Sequence, residues 1–431
     1  MIPSRTGLIP GIFRFFNQGF LALVVGLIAG SATAFFLWTL DKTTKLQWAH
    51  PLLLWLLPVG GFAVGLIYHH HGKGSDKGNN LILDEIHQSG GGVPSRMAPL
   101  VLIGTLTTHL FGGSAGREGT AVQMGGSLAS LLARRFKLGH DQHRLILMCG
   151  MAAGFGAVFG TPLTGALFAM EVLVIGRLKY EAFIPLLIAS LVGDLTCTAW
   201  GIRHTDYTLD TTTHAPFQMS LLAKVALSGV AFGWAARFFS ELTQGIQRLI
   251  AKWVVYTPLR PAIGGCVILI LVFVLGTRDY LGLGVDVPPS GQVSIVASFH
   301  EGGATPWSWL WKTLFTAVTC GTGFKGGEVT PLFFIGSTLG HTLGVLLHEP
   351  VALFAAFGFI AVFAGAANTP VSCTVMGMEL FGVQSGVYFA VVCFVAFYSS
   401  GNSGIYLSQR LARSQCTLRE MREMKSKRQT L

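Results

Sequence analysis

Long apolar runs, broken by short polar or glycine-rich stretches, recur along almost the whole chain. Uncharged runs of this kind predict helices that cross a bilayer, because about 20 residues rising 1.5 Å each match the hydrocarbon thickness. The pattern predicts spans at 15–40 and 51–68, a polar stretch at 69–80, and a short amphipathic helix at 81–88 with Asn79 and Asn80 in a capping position before it. Apolar segments at 98–116, 117–135, 144–160, 161–176 and 183–200 follow, and a polar loop at 201–218 closes this first set. Spans resume at 219–234 and 263–276, separated by an amphipathic stretch at 237–252. A glycine- and proline-containing loop at 281–303 then leads to 309–321, 321–340, 352–365, 369–382, 387–400 and a final segment at 404–413.

Two of these segments are interrupted by charge. The stretch GGSAGREGTAVQMGGSL at 112–128 sets Arg117 and Glu118 among glycines where one apolar run ends and the next begins. Hydrocarbon cannot solvate a carboxylate, so an acid at that depth marks a function, with a cavity, a counter-charge or a proton to stabilise it. Glycines Gly112, Gly113, Gly116 and Gly119 predict two helices meeting at a break. A helix that starts inside a membrane presents unpaired N–H groups and a positive dipole end, which can hold an anion. Glu118 then sits where the anion binds, and taking up a proton lets it leave.

The stretch GTGFKGGEVTPLFFIGSTLG at 321–340 looks like the central one over again. Glu118, Thr120, Gly126 and Ser127 have counterparts 210 positions on in Glu328, Thr330, Gly336 and Ser337. Thr161, Pro162 and Glu171 have counterparts 208 positions on in Thr369, Pro370 and Glu379. Two near-equal offsets in the same order predict a chain of two homologous halves: 15–200 and 219–413, with a short N-terminal segment at 1–14 and a basic tail at 414–431. Halves of inverted topology place their site at the midplane, where broken helices from both point their N-termini at one substrate. Both breaks carry a glutamate, and two acids at an anion site repel the anion unless one is protonated or swings aside, which predicts proton linkage. Glu171 and Glu379 are expected to make structural hydrogen bonds near helix ends, while Glu181, in a charged turn, is a surface acid.

Composition agrees with a membrane protein: 51% hydrophobic, 12% charged, 55 glycines, where a soluble chain is about one quarter charged. The net charge of +10 lies largely in loops and tails, which favours membrane topology over nucleic-acid binding. Residues 410–428 hold seven Lys/Arg against two acids, and Arg5 and Arg14 precede the first span, so both termini are expected in the cytoplasm. The first apolar run is too long for a cleavable signal and reads as a retained span. Seven cysteines, none in a C-x-x-C pair and Cys416 in the tail, read as small packing residues. His69, His70 and His71 are read as part of an exposed loop, since adjacent positions do not converge on one ion. No metal and no cofactor is expected.

The motifs match a known family. GREGT at 116–120 with AVQMGGSLA after it, FGTPLTGALFAMEV at 159–172, GTGFKGGEVTP at 321–331 and GIY ending at Tyr406 resemble, in order, motifs of the CLC chloride channels and proton-coupled anion antiporters. The resemblance spans about 15–413. It implies an all-α polytopic fold of two inverted-topology repeats, a homodimer with one pathway per subunit, and a location in a prokaryotic cytoplasmic membrane. No regulatory nucleotide-binding domain is expected.

The departures are informative. Asn79 stands in GNNLI where chloride members have the serine of GSGIP, Thr120 replaces the proline of GREGP, and Gly327, Glu328, Val329, Thr330 and Pro331 replace GIFAP. Val172 stands where many chloride/proton exchangers carry a cytoplasmic-side acid. These changes resemble the fluoride-exporting CLC branch. The resemblance implies that Glu118 is the gating glutamate and proton carrier and that Glu328 serves coupling. It further implies that Asn79, Thr330 and Tyr406 line the pathway and that backbone N–H groups near Gly119, Thr120 and Val329 contact the anion. The implied activity is a fluoride/proton antiporter in the lipid bilayer, with a chloride/proton antiporter or chloride channel of the same fold as the alternative. A membrane enzyme using Glu118 and Glu328 as acid and base is disfavoured, because no nucleophile triad or metal-ligand set accompanies them.

Overall fold

The apolar runs fold as helices packed against one another through small residues. The computed structural model describes residues 8–411, apart from 89, 179, 208–216 and 287–292, with no account of the side chains of 8–16. The basic tail at 414–431, Cys416, Arg5 and much of the polar loop at 201–218 lie outside the described residues. In chain order the helices are α1 (Leu8–Ala49), α2 (Leu57–His71), α3 (Asn79–His87), α4 (Met97–Leu110), α5 (Glu118–Arg135), α6 (His140–Phe159), α7 (Pro162–Glu171) and α8 (Phe183–Ala199). They continue as α9 (Met219–Trp253), α10 (Leu259–Leu275), α11 (Ser308–Gly321), α12 (Val329–Leu347), α13 (Val351–Ala367), α14 (Pro370–Phe381) and α15 (Gly386–Ser400).

Length separates two kinds of helix. Among the described residues, six helical stretches, including Asn17–Ala49, Met219–Trp253 and Val329–Leu347, are long and apolar enough to cross a membrane. The 14 residues of α4 and of α11 rise roughly 21 Å, too short to cross a hydrocarbon layer of about 30 Å alone. These are the half-helices that the glycine breaks predict. Large apolar side chains on α1 and α10, such as Phe20, Trp38, Phe273 and Val274, are exposed where lipid would meet them. The helices α5 and α13 are buried along most of their length.

The structure corrects three expectations about where elements begin and end. The polar stretch after residue 40 does not leave the helix: α1 runs on to Ala49, and Asp41 and Lys45, one turn apart, pair at 2.8 Å. Likewise α9 is one helix of 35 residues that carries the span and the amphipathic stretch together. Charge on one face of a helix signals solvent, not a break, and at roughly 53 Å this helix can pass well beyond the hydrocarbon. The segment from Gly404, where the GIY motif resembles the start of the last CLC helix, is irregular up to a two-residue strand, β2 (Arg410–Leu411), that pairs in parallel with β1 (Val174–Ile175). Its polar groups are satisfied sideways: Ile405 N–H donates to Ala366 O at 2.9 Å, and Gln409 Nε2 donates to Val172 O at 3.1 Å and Ala367 O at 2.7 Å.

The two halves repeat their local devices. A left-handed residue ends α6 at Gly160 (φ 72°) and α13 at Asn368 (φ 56°), and a threonine then leads to a proline at the first position of α7 and α14. Backbone meets backbone at Gly125 and Gly150 between α5 and α6, and at Gly336 and Gly358 between α12 and α13. A Cβ on Gly336 would lie 2.0 Å from Gly358 O, and one on Gly125 would lie 2.2 Å from Gly150 O. Small residues allow this approach, which seats the starts of α5 and α12 deep in the protein.

Candidate functional site

The two glycine breaks lock together. Gly116 N–H donates to Gly327 O at 2.6 Å and Gly327 N–H to Gly116 O at 2.7 Å, an isolated antiparallel bridge between the halves. This brings the N-termini of α5 and α12, each with unpaired N–H groups and a positive dipole end, to one place. Glu118, the first residue of α5 and 1% exposed, sends its carboxylate across to α12. One oxygen accepts Thr330 N–H at 3.1 Å and Arg117 N–H at 3.1 Å, and the other accepts the Thr330 hydroxyl. Arg117 Nε stands 3.9 Å away and has no hydrogen-bond partner. The carboxylate thus takes the contacts that a small anion would make at a helix N-terminus.

A cavity of about 440 Å³ opens on one side of this plug, and Asn79, Gly119, Glu328, Val329 and Tyr406 all line it. On the other side a cavity of about 400 Å³ is lined by His109, Arg117, Arg278, Asp41 and Asp286. Glu118 lines neither, while its chain neighbours Arg117 and Gly119 line one each. The cavity lined by Tyr406 is called the inner cavity and the one lined by Arg278 the outer.

Asn79 departs from its expected place in an instructive way. The residue before α3 is Gly78, in a backbone conformation with φ 59° that only glycine adopts without strain, and Asn79 is the first helical residue. Its side chain therefore does not cap the helix. Its amide nitrogen faces Gly119, where a Cβ would come within 3.2 Å, and its oxygen is buried without a partner. Asn80 does the anchoring instead, accepting Ser408 N–H at 3.0 Å and so tying α3 to the segment of Tyr406. Tyr406 is 9% exposed and meets Phe168 edge-on at 6.2 Å.

Glu328 is the residue before α12, half-buried, with no side-chain bond to its own helix start. Thr330 meets the Glu118 carboxylate through both its N–H and its hydroxyl. Thr120 turns away: its hydroxyl is 2.7 Å from that of Thr105 on α4. So of the residues singled out from the sequence, Glu118, Gly119, Glu328, Val329, Thr330, Asn79 and Tyr406 converge, while the Thr120 side chain serves packing.

Glu171 and Glu379 make the helix-end bonds expected of them, each on the other half. Glu171 accepts Val371 N–H at 3.0 Å, Ser372 N–H at 2.7 Å and the Ser372 hydroxyl at the start of α14. Glu379 accepts Leu163 N–H at 2.9 Å, Thr164 N–H at 2.8 Å and the Thr164 hydroxyl at the start of α7. Val172 is buried and, as a valine, has no group that titrates. His69, His70 and His71 form the last turn of α2 and not a loop, and His69 Nδ1 is 3.1 Å from Thr257 Oγ1. Among the described residues no group of three His, Cys, Asp or Glu side chains could hold a metal.

Sequence reasoning passed over two lysines. Lys325, within the second break, lines the inner cavity. Lys312 on α11 is fully buried and donates to Tyr280 O at 3.1 Å and Gly282 O at 2.9 Å, holding the loop that walls the outer cavity. A lysine inside an apolar run was the available signal.

Comparison with known proteins agrees with the geometry. The family model for voltage gated chloride channels matches residues 60–401. The chain is 48% identical over 416 residues to the chloride/fluoride channel protein of Pseudomonas syringae pv. tomato, covering 96% of this chain and 90% of that one. It is 24% identical to a proton/chloride exchange transporter of Vibrio cholerae, over 85% of this chain and 82% of that one. Among solved structures it superposes on a CLC-type fluoride/proton antiporter with TM-score 0.88 and 34% identity, covering 93% of this chain and 99% of that chain. A slow cyanobacterial Cl⁻/H⁺ antiporter matches with TM-score 0.75 at 20% identity, over 90% of this chain and 96% of that one, a likeness of fold.

Proposed function

The chain belongs to the voltage gated chloride channel (CLC) family, and from that premise we propose that it is a fluoride/proton antiporter, expelling fluoride from the cytoplasm in exchange for inward protons. One observation carries the reading. The Glu118 carboxylate occupies the N-terminus of α12 in place of an anion, with a cavity on either side. A carboxylate and an anion cannot both hold that dipole end, and a protonated Glu118 loses most of its attraction to it. Binding of fluoride at Gly119, Val329 and Thr330 then requires Glu118 to leave, and leaving favours a proton. The two halves at 15–200 and 219–413, both termini in the cytoplasm and a homodimer in a prokaryotic cytoplasmic membrane complete the proposal.

The inner cavity supports fluoride over chloride. Fluoride is small and strongly hydrated, so a site for it must replace many hydrogen bonds, and the Asn79 amide offers two donors where serine offers one. Its conjugate acid is weak and crosses membranes, trapping fluoride in a neutral cytoplasm, so export against inward protons is the useful direction. The likeness to a fluoride/proton antiporter at 34% identity supports the same reading. Chloride transport is the second reading, supported by the name of the Pseudomonas syringae chloride/fluoride channel protein, which includes both ions.

Liposomes loaded with equal fluoride and chloride test this, with ion-selective and pH electrodes outside. Fluoride is expected to leave much faster than chloride, with protons entering as it leaves. Equal fluxes of the two ions return the chain to the chloride reading. Asn79→Ser is expected to raise chloride flux relative to fluoride by several-fold, and Thr330→Ala to lower the fluoride rate. An unchanged ratio in Asn79→Ser places selectivity elsewhere. Because Val172 cannot titrate, Glu118 itself must reach both solutions, and fluoride-linked proton flux is expected without any acid at that position. Its absence from the unaltered protein would overturn this route.

A further inference from the structure

We infer that Lys325 is an anion-recruiting site of the inner cavity, whose ammonium draws a small monovalent anion past the carboxylate of Glu328. The inference rests on the transport reading above and deepens it. An anion that enters the inner cavity meets three acids on its walls, Asp76, Asp84 and Glu328, of which Glu328 adjoins the helix start where the anion must bind. One like charge about 6 Å away in a half-wet cavity lowers the local anion concentration about tenfold, so an uncompensated acid there would slow loading.

Two lysines line the same cavity, and the structure treats them differently. Lys77 is 3.6 Å from Asp84, and both are exposed. Lys325 has no carboxylate within 4.0 Å among the described residues. Its Nζ instead lies 4.2 Å from the centre of the Tyr68 ring. Its stem packs on α4, where a Cβ on Gly104 would come within 2.8 Å of Lys325 Cγ. The difference has a physical consequence. A carboxylate partner cancels the field of an ammonium, whereas an aromatic face holds the ammonium in place and leaves its charge intact. Lys325 is thus an ammonium held on an aromatic ring and not in an ion pair, three residues before Glu328 on the wall of the same cavity. Tyr68 acts as its positioning residue.

Charge recruitment has a signature that packing lacks, which is dependence on ionic strength. Initial fluoride efflux from liposomes carrying the full chain is measured against fluoride concentration at ionic strengths of about 10 mM and about 100 mM, set with sodium gluconate, where the screening length falls from about 30 Å to about 10 Å. In the unaltered protein the half-saturating fluoride concentration is expected to rise with salt. Lys325→Gln is expected to raise it about three- to tenfold at low salt and to remove most of its salt dependence, with the maximal rate within about twofold. Lys325→Arg, which keeps the charge over the ring, is expected to behave as the unaltered protein. Native half-saturation and native salt dependence in Lys325→Gln overturn the inference. If that variant does not fold, the unaltered protein decides, since a half-saturating concentration indifferent to ionic strength overturns it equally. Should the protein carry chloride and not fluoride, the fluoride reading fails, and the same comparison run with chloride still decides the role of Lys325.

Discussion

Glu118→Gln is expected to abolish proton-driven uphill movement of fluoride while leaving downhill movement in place. The glutamine side chain keeps the shape of the protonated acid but neither binds nor releases a proton in the working pH range. It also carries no charge to hold at the start of α12, where the Glu118 carboxylate now accepts the N–H and hydroxyl of Thr330. The anion therefore meets a weaker competitor, and the link between anion exit and proton entry is cut. In liposomes with an imposed pH gradient, fluoride accumulation against its own gradient should fall to the level of protein-free vesicles, a loss of at least about a hundredfold in coupled flux. Full coupling retained in this variant would remove Glu118 from the proton path, and Glu328 would then be the acid to substitute next.

The second large effect concerns folding. Glu171→Ala is expected to destabilise the protein severely, because the carboxylate accepts two backbone N–H groups and a hydroxyl at the start of α14 and is 4% exposed. Each hydrogen bond to a buried charge contributes about 1.5–3 kcal/mol, and three donors left without water or partner cost about 4 kcal/mol or more together. Thermal unfolding in detergent should show a fall in Tm of ten degrees or so, or no folded protein at all. Glu171→Gln, whose amide oxygen still accepts, should lose less, and Glu379→Ala should lose less because Glu379 is exposed. A Glu171→Ala protein that melts normally but loses coupling would move Glu171 from the scaffold to the proton route.

These two acids show how far a single sequence reaches. Where each helix starts or breaks depends on neighbours within about one turn, and such local signals were legible: Pro162 and Pro370 at first helical positions, the glycines before Glu118, and two acids at apparent membrane depth near helix ends. The repeat added that both breaks belong to one design. Local signals misled where charge alone was taken for an end of helix, as at Asp41 and Arg237, since an exposed polar face continues a helix as readily as an apolar one. The capping residue of α3 was misplaced by one for a similar reason, because Gly78 supplies by backbone conformation what Asn79 was expected to supply by side chain.

Partners more than 200 residues apart in sequence were another matter. That Glu118 is held by Thr330, that Glu171 caps α14 while Glu379 caps α7, and that Lys325 rests on Tyr68 without a carboxylate are decided only when the halves pack. The chain by itself determined that two helix starts, each with its acid, interrupt long apolar runs, because hydrophobic length and glycine breaks are properties of contiguous residues. Which dipole end each acid faces, and which amide or ammonium is left uncommitted beside it, only the tertiary structure decided, because helix ends and side chains choose partners by proximity in space, set here by glycine contacts such as Gly336 on Gly358 that no local signal encodes.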